Sequence, residues 1–303
     1  MAARLSAAAL ALALPTLSAP PAPPEPSAFP APAGQRRPFA FGLAGALFLA
    51  DDPLQGSFAQ LAADHFSYVG AYLVNGCANN AQPYSCASNG CNWPGMASPD
   101  PEIGGFEGVA AFASAARAAS LFVGAWGVTY SNVEAEAACM AESLAALRSA
   151  HDTTLDFFIV DGEKSFETVQ NQSQRFVGVF NARLPYWLAR AYTPECHTAV
   201  PMAPWLEGGF NAIMPMAYWD LDGVNPSYCL RWLLSNGVPA NVAKVMFDGF
   251  SHGNPPHSWA DYFSDYASVN NSAIRGFSVW RTLHAAEWDE FKALLEATPI
   301  ATW

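Results

Sequence analysis

Short apolar runs alternate with amphipathic stretches along most of the chain. The runs cover 39–44, 68–74, 121–128, 156–160, 199–203, 212–218, 244–250 and 275–280. Most are bounded by Gly, Pro, Asp or Ser. Brief runs that are apolar throughout mark strands buried on both faces of a parallel sheet. The intervening stretches predict helices over 58–66, 106–119, 133–150, 169–191, 226–236, 259–268 and 285–296. Asn132 is placed to cap the third of these, with Glu134 and Glu136 in a first turn that favours anions. Asn236-Gly237 marks a helix end. The interval from Pro204 to Asn211 is too short for a full helix. Eight strands in alternation with helices is the count of a single α/β domain, a (β/α)8 TIM barrel. A doubly wound open sheet is the rival, and it carries a glycine-rich turn after its first strand. Phe41-Gly-Leu-Ala-Gly is a faint version of that turn.

The N-terminus changes where this domain begins. Arg4 precedes an apolar run from Leu5 to Leu14, too short to span a bilayer. Leu17-Ser18-Ala19 supplies the small residues of a cleavage site, so residues 1–19 are expected to be a secretory signal peptide. Residues 20–37 are dense in proline and are expected to be a disordered linker. The barrel domain is then 38–303, secreted, without a membrane span, and a monomer. An uncleaved N-terminal anchor is the alternative.

Composition narrows the partners. The chain has 303 residues, a net charge of −12 and only 13% charged residues. An acidic chain repels phosphate backbones, so nucleic acid is excluded as a partner. No P-loop, GxGxxG or CxxC motif is present, and no cofactor is expected. Six cysteines suit a secreted protein, and Cys77, Cys86 and Cys91 crowd into one Asn/Gly/Pro-rich segment, as in a disulfide-held loop. The pairing stays open. Asn171-Gln-Ser and Asn270-Asn-Ser are glycosylation sequons. His197, His252 and His257 are spaced poorly for a metal: His197 falls at the start of an expected strand and His257 opens a helix. No metal site is expected.

In a barrel of this kind the active site lies at the C-terminal ends of the strands. That rule selects Asp51 and Asp52, some distance after the first strand, then Trp126 and Tyr130, Asp161 and Glu163, Tyr218, Trp219 and Asp220, Asp248, and Trp280 and Arg281. The sharpest signal is Asp156-Phe-Phe-Ile-Val-Asp161-Gly-Glu163, an apolar strand that ends in two carboxylates. Side chains alternate along a strand, so Asp161 and Glu163 point the same way, roughly 6.6 Å apart at Cα. Carboxylates this close do not ionise independently, and one is kept available as an acid. Both approach from one direction, which suits a substrate that brings its own nucleophile better than a pair of carboxylates flanking the scissile bond.

Three segments together resemble glycoside hydrolase family 18, the chitinases and chitinase-like lectins: 156–163, Met216-Ala-Tyr218 and Trp280. The resemblance implies Glu163 as proton donor and Asp161 as the residue that orients the substrate acetamido group. It also implies Tyr218 as a further bond to that group and Trp280 beneath the sugar. Ile159 stands where the family's run has its middle Asp. The segments Gly124-Ala-Trp-Gly-Val-Thr-Tyr130, Glu134-Ala-Glu136 and Asp161-Gly-Glu163 also resemble poorly characterised glycosidase-like barrels of secreted and cell-wall proteins. Family 25 lysozymes share the Asp-x-Glu strand end, but their first-strand Asp motif is not found.

The expected activity is a retaining, substrate-assisted hydrolysis of an N-acetylated poly- or oligosaccharide. Glu163, Asp161 and Tyr218 are the expected catalytic residues. Trp126, Tyr130, Trp219, Asp220, Asp248, Trp280 and Arg281 are expected to bind substrate. A catalytically silent, lectin-like barrel is the alternative, and a different, metal-assisted hydrolase is the third possibility.

Overall fold

The computed structural model describes residues 44–48, 58–64, 66–74, 105–129, 133–162, 166, 171–184, 186–248, 257–269, 276–280 and 290–294. For residues 44–48, 74, 105, 221, 248 and 280 it describes the backbone alone. Strand β1 is Ala44–Phe48, followed by α1 (Phe58–Ala63), β2 (Tyr68–Val74), α2 (Gly105–Ala118) and β3 (Phe122–Val128). Next come α3 (Val133–Ala150), β4 (Phe157–Asp161), α4 (Gln172–Arg183), β5 (Ala189–Thr193) and α5 (Ala203–Glu207). The last described elements are β6 (Ala212–Ile213), β7 (Met216–Ala217), α6 (Trp219–Asp222), α7 (Pro226–Ser235), β8 (Met246–Asp248), α8 (Trp259–Ala267) and β9 (Phe277–Trp280). Residues 290–294 are helical.

The paired strands are parallel, in the order β6-β5-β4-β3-β2-β1-β9-β8-β7. The two end strands are pieces of one segment, 212–217, interrupted at Met214-Pro215. That segment is bonded on both sides. Toward β5, Met214 N donates to Tyr192 O (2.8 Å) and Met216 N to Pro194 O (3.0 Å). Toward β8, Lys244 N donates to Ile213 O (2.9 Å) and Met246 N to Pro215 O (3.0 Å).

Two apolar layers follow from the alternation of side chains. One contains only residues of the strands and their ends: Tyr68, Trp126, Val128, Phe157, Ile159, Ala189, Ala191, Ala212, Met214, Met216, Tyr218 and Met246. The other joins the opposite strand faces, such as Val123, Phe158, Val160, Tyr192 and Phe247, to the helices. Strand β4 is apolar on both sides because it serves both layers. Helix ends use local chemistry. Asn225 accepts from Tyr228 N at the start of α7, with Pro226 at its first position. Ser258 and Asp261 form a reciprocal capping box on α8.

The structure moves several predicted elements. The strand expected at 199–203 is absent, because Pro201 and Pro204 suit a helix entry instead, and Ala203 begins α5. The helix expected over 169–191 stops at Arg183. Leu184 is extended (φ −77°, ψ 113°) ahead of Pro185, which disfavours helical geometry in the residue before it. The fifth strand, β5, therefore lies inside the stretch read as helix. Of the strand expected at 39–44, residues 39–43 lie outside the described residues, and Ala44 opens β1. The expected signal peptide and linker lie outside the described residues, as do Asn132 and the cluster of Cys77, Cys86 and Cys91.

Candidate active site at the carboxyl ends of the strands

Because the strands are parallel, Val128, Asp161, Thr193, Ala217, Asp248 and Trp280 close their strands at one common edge. Asp161 follows Phe157 and Ile159 on the strand-only face, and its side chain is partly exposed. Its backbone is held from both neighbours. Thr129 N donates to Asp161 O (2.8 Å), and Gly162 N donates to Thr193 O (3.2 Å).

The turn after Asp161 is fixed from the helix side. Tyr192 Oη donates to Gly162 O at 3.1 Å. The Tyr192 ring stacks on Trp205 at 3.8 Å and 4°, and Phe166 stands edge-on to Trp205 at 5.0 Å. A Cβ on Gly162 would lie 2.4 Å from Phe166 Cε2 and 2.6 Å from Tyr192 Cε2. Only glycine lets these rings close over the chain between Asp161 and residue 163. Glu163 itself, with Asp51, Asp52, Tyr130 and Arg281, lies outside the described residues.

Trp126 and Tyr218 share the strand-only face with Asp161. Trp126 is 3% exposed, with its ring 4.5 Å from that of Tyr72, so it forms part of the layer's packing. Tyr218 Oη lies 3.7 Å from Met246 Sδ. Deeper in the same layer, Tyr68 Oη meets Ser278 Oγ at 2.5 Å and donates to Phe277 O at 3.2 Å. Burial pushes the Tyr68 phenol well above the ordinary tyrosine range, partly offset by Ser278. This tyrosine is a structural floor.

Trp219 and Asp220 take a different course. Trp219 packs on the helix-covered layer, its ring stacked on His257 at 4.0 Å and 16°. The Asp220 carboxylate is 2% exposed. It accepts from His257 N at 3.0 Å and faces His257 Nδ1 at 2.5 Å. Asp220 N in turn donates to Tyr262 Oη at 3.2 Å. The pair ties the turn after β7 to the start of α8. Asp248 and Trp280 are register partners at the ends of β8 and β9. The structure thus brings Asp161, Trp126 and Tyr218 to one face and turns Trp219 and Asp220 toward α8.

The comparisons with known proteins agree with this architecture. No protein-family model matches the chain, and no curated protein matches it. Solved structures do. One is "a fungal endo-beta-N-acetylglucosaminidase from glycosyl hydrolase family 18": the TM-score is 0.59 at 9% identity, over 82% of this chain and 95% of that one. A second is the Bacillus cereus spore cortex-lytic enzyme SleL, with TM-score 0.54 at 12% identity over 83% of this chain and 73% of that one. The endo-beta-N-acetylglucosaminidase of Cordyceps militaris gives 0.50 at 12% identity, over 86% of this chain and 91% of that one. The chain has a family-18-like fold.

Within that family-18-like fold, sequence reasoning missed three features. His197 follows β5 and does not open a strand, and its ring meets Tyr228 at 4.2 Å. Cys196 and Cys229 are joined in a disulfide that links the segment after β5 to α7. Cys196 Sγ rests 3.3 Å from Met216 O of β7. Thr193, the register partner of Asp161, is 1% exposed. Correct placement of β5 was the missing signal, since Ala189, Ala191 and Thr193 then fall on one face. Among the described residues, no group of three His, Cys, Asp or Glu side chains could hold a metal ion. No described helix is long and apolar enough to cross a membrane.

Proposed function

We propose that the chain is a secreted glycoside hydrolase whose sheet closes as a (β/α)8 barrel and which cleaves an N-acetylated glycan. The observation that carries this is Asp161: a carboxylate at the end of the fourth strand, on the strand-only face with Tyr218, in a family-18-like fold. Closure is supported by the two-sided bonding of segment 212–217. In the proposed reaction Glu163 protonates the glycosidic oxygen as that bond to the anomeric carbon breaks. The substrate's acetamido oxygen forms the new bond to that carbon, with Asp161 and Tyr218 orienting the acetamido group. Water then opens the cyclic intermediate, giving its proton to Glu163 and restoring the acid. Tyr130, Trp219, Asp248, Trp280 and Arg281 are assigned to hold the sugars, with Trp126 supporting them from within the strand-only layer. This cycle draws on no metal or cofactor.

A second reading has one observation in its favour. Ile159, two residues before Asp161 on the same face, is buried and apolar, so this strand places no second carboxylate beneath Asp161. A glycan-binding barrel without turnover would tolerate that. The deciding experiment is turnover of labelled chito-oligosaccharides and peptidoglycan fragments by residues 38–303, with Glu163→Gln run beside the wild type. Cleavage by the wild type alone supports the hydrolase. Equal cleavage by both removes Glu163 from its role. Binding without cleavage favours the lectin-like reading, and neither binding nor cleavage overturns both.

A further inference from the structure

Strands β3, β4 and β5 set Val128, Asp161 and Thr193 side by side in register. Paired residues of parallel strands stand on the same face, about 4.8 Å apart. Among the described residues, Asp161 has an apolar register neighbour on β3, Ile159 before it on the same face, and the Thr193 hydroxyl on β5, while Thr129 Oγ1 donates to its backbone oxygen at 3.3 Å. Thr193 is 1% exposed, and its Oγ1 is buried without a hydrogen-bond partner among the described residues. A buried, unsatisfied hydroxyl carries a desolvation cost, and such groups persist where a role compensates for it. Valine would fill the same volume without that cost, and the two preceding same-face residues of β5 are both alanine.

We propose that Thr193 is a positioning residue for Asp161, its hydroxyl donating to the Asp161 carboxylate in the working site and fixing the rotamer that meets the substrate. The proposal rests on the glycosidase reading for its catalytic consequence, but the contact itself does not. Hydrogen bonds to charged groups are among the stronger ones, and this one would come from a dry, preformed position.

The test compares Thr193→Val and Thr193→Ser with the wild type. In Thr193→Val we expect kcat on the cleaved glycan to fall roughly 10- to 100-fold with KM nearly unchanged, the range for one charge-assisted bond. Its melting temperature should hold, because valine keeps the volume and the hydroxyl serves the orientation of the carboxylate, not the packing of the fold. Thr193→Ser should restore most of kcat. A Thr193→Val protein with wild-type kcat overturns the proposal. So does one in which activity and melting temperature fall together, since the hydroxyl then serves the fold. If the wild type cleaves no glycan, the glycosidase reading fails separately, and the 13C resonance of the Asp161 carboxyl decides. A shift in Thr193→Val that reverts in Thr193→Ser supports the contact, and an unmoved resonance overturns it.

Discussion

Replacing Gly162 by alanine is the sharpest test of how the turn after Asp161 is held. Gly162 does not have a left-handed backbone; its constraint is space. The added methyl would sit 2.4 Å from Phe166 Cε2, 2.7 Å from Phe166 Cδ2 and 2.6 Å from Tyr192 Cε2. Both rings are fully buried against Trp205, so neither can swing away cheaply. Overpacking of this kind costs about 1–3 kcal/mol. Displacing Tyr192 from Gly162 O adds about 1 kcal/mol. The stiffer unfolded chain returns about 0.4–1 kcal/mol. The net loss is about 1–3.5 kcal/mol, or roughly 3–10 °C in Tm for a domain of this size. Urea titration followed by tryptophan fluorescence measures it. Gly178→Ala is the control with opposite sign: nothing lies within 4 Å of its Cβ on α4, so it should stabilise by about 0.5–1 kcal/mol. Phe166→Leu in the Gly162→Ala background should recover part of the loss, a coupling of about 1 kcal/mol. A Gly162→Ala protein within about 0.5 kcal/mol of wild type, or a double mutant with additive effects, would refute the steric account.

Two further outcomes are expected. Serine at both Cys196 and Cys229 opens a loop of sequence separation 33 and should lower stability by about 3–4 kcal/mol on the chain-entropy estimate; a loss under about 1 kcal/mol in a reducing-agent-free melt would contradict it. The Ser258 bonds hold the Asp261 carboxyl below the usual carboxylate range. Its stabilisation of α8 is therefore full above the ordinary aspartate value and lost as pH falls through the depressed one, so Asp261→Asn should weaken the protein at neutral pH and the gap should narrow steadily as pH falls below the ordinary aspartate value; a stability gap that does not narrow in acid would count against the assignment.

The sequence reading succeeded where one signal dominated. Strand β4 is a run of large apolar residues closed by Asp161, a pattern that only the shorter β8, closed by Asp248, repeats among the described strands. Helix α3 begins at Val133, as its acidic first turn foretold. It failed at 184–203, where signals competed. Ala189, Ala191 and Thr193 are small and Arg190 is charged, so β5 lacks the bulk that marks a strand. Val200 and Met202, though apolar and buried, belong to the entry of a helix. The site followed the same rule. The place of Asp161 at a strand end was legible because it depends on its own strand alone. Thr193 and His257 were not, because each matters through a partner 32 or 37 residues away in sequence, and register alone brings them together.

The split segment 212–217 bears on association as well as on fold. A parallel sheet ordinarily ends in two strands with unsatisfied amides and carbonyls, an open template for another chain. Here both ends of the strand order fall in the same six residues, each flank already bonded, with a proline that cannot donate at the break. The price is concentration of risk: β6 and β7 are two residues each, and their parting would expose both flanks at once. The Cys196–Cys229 link lies across that place, against Met216 O. Self-association of this protein on reduction should therefore begin at one seam, and a peptide of residues 211–218 should compete for it.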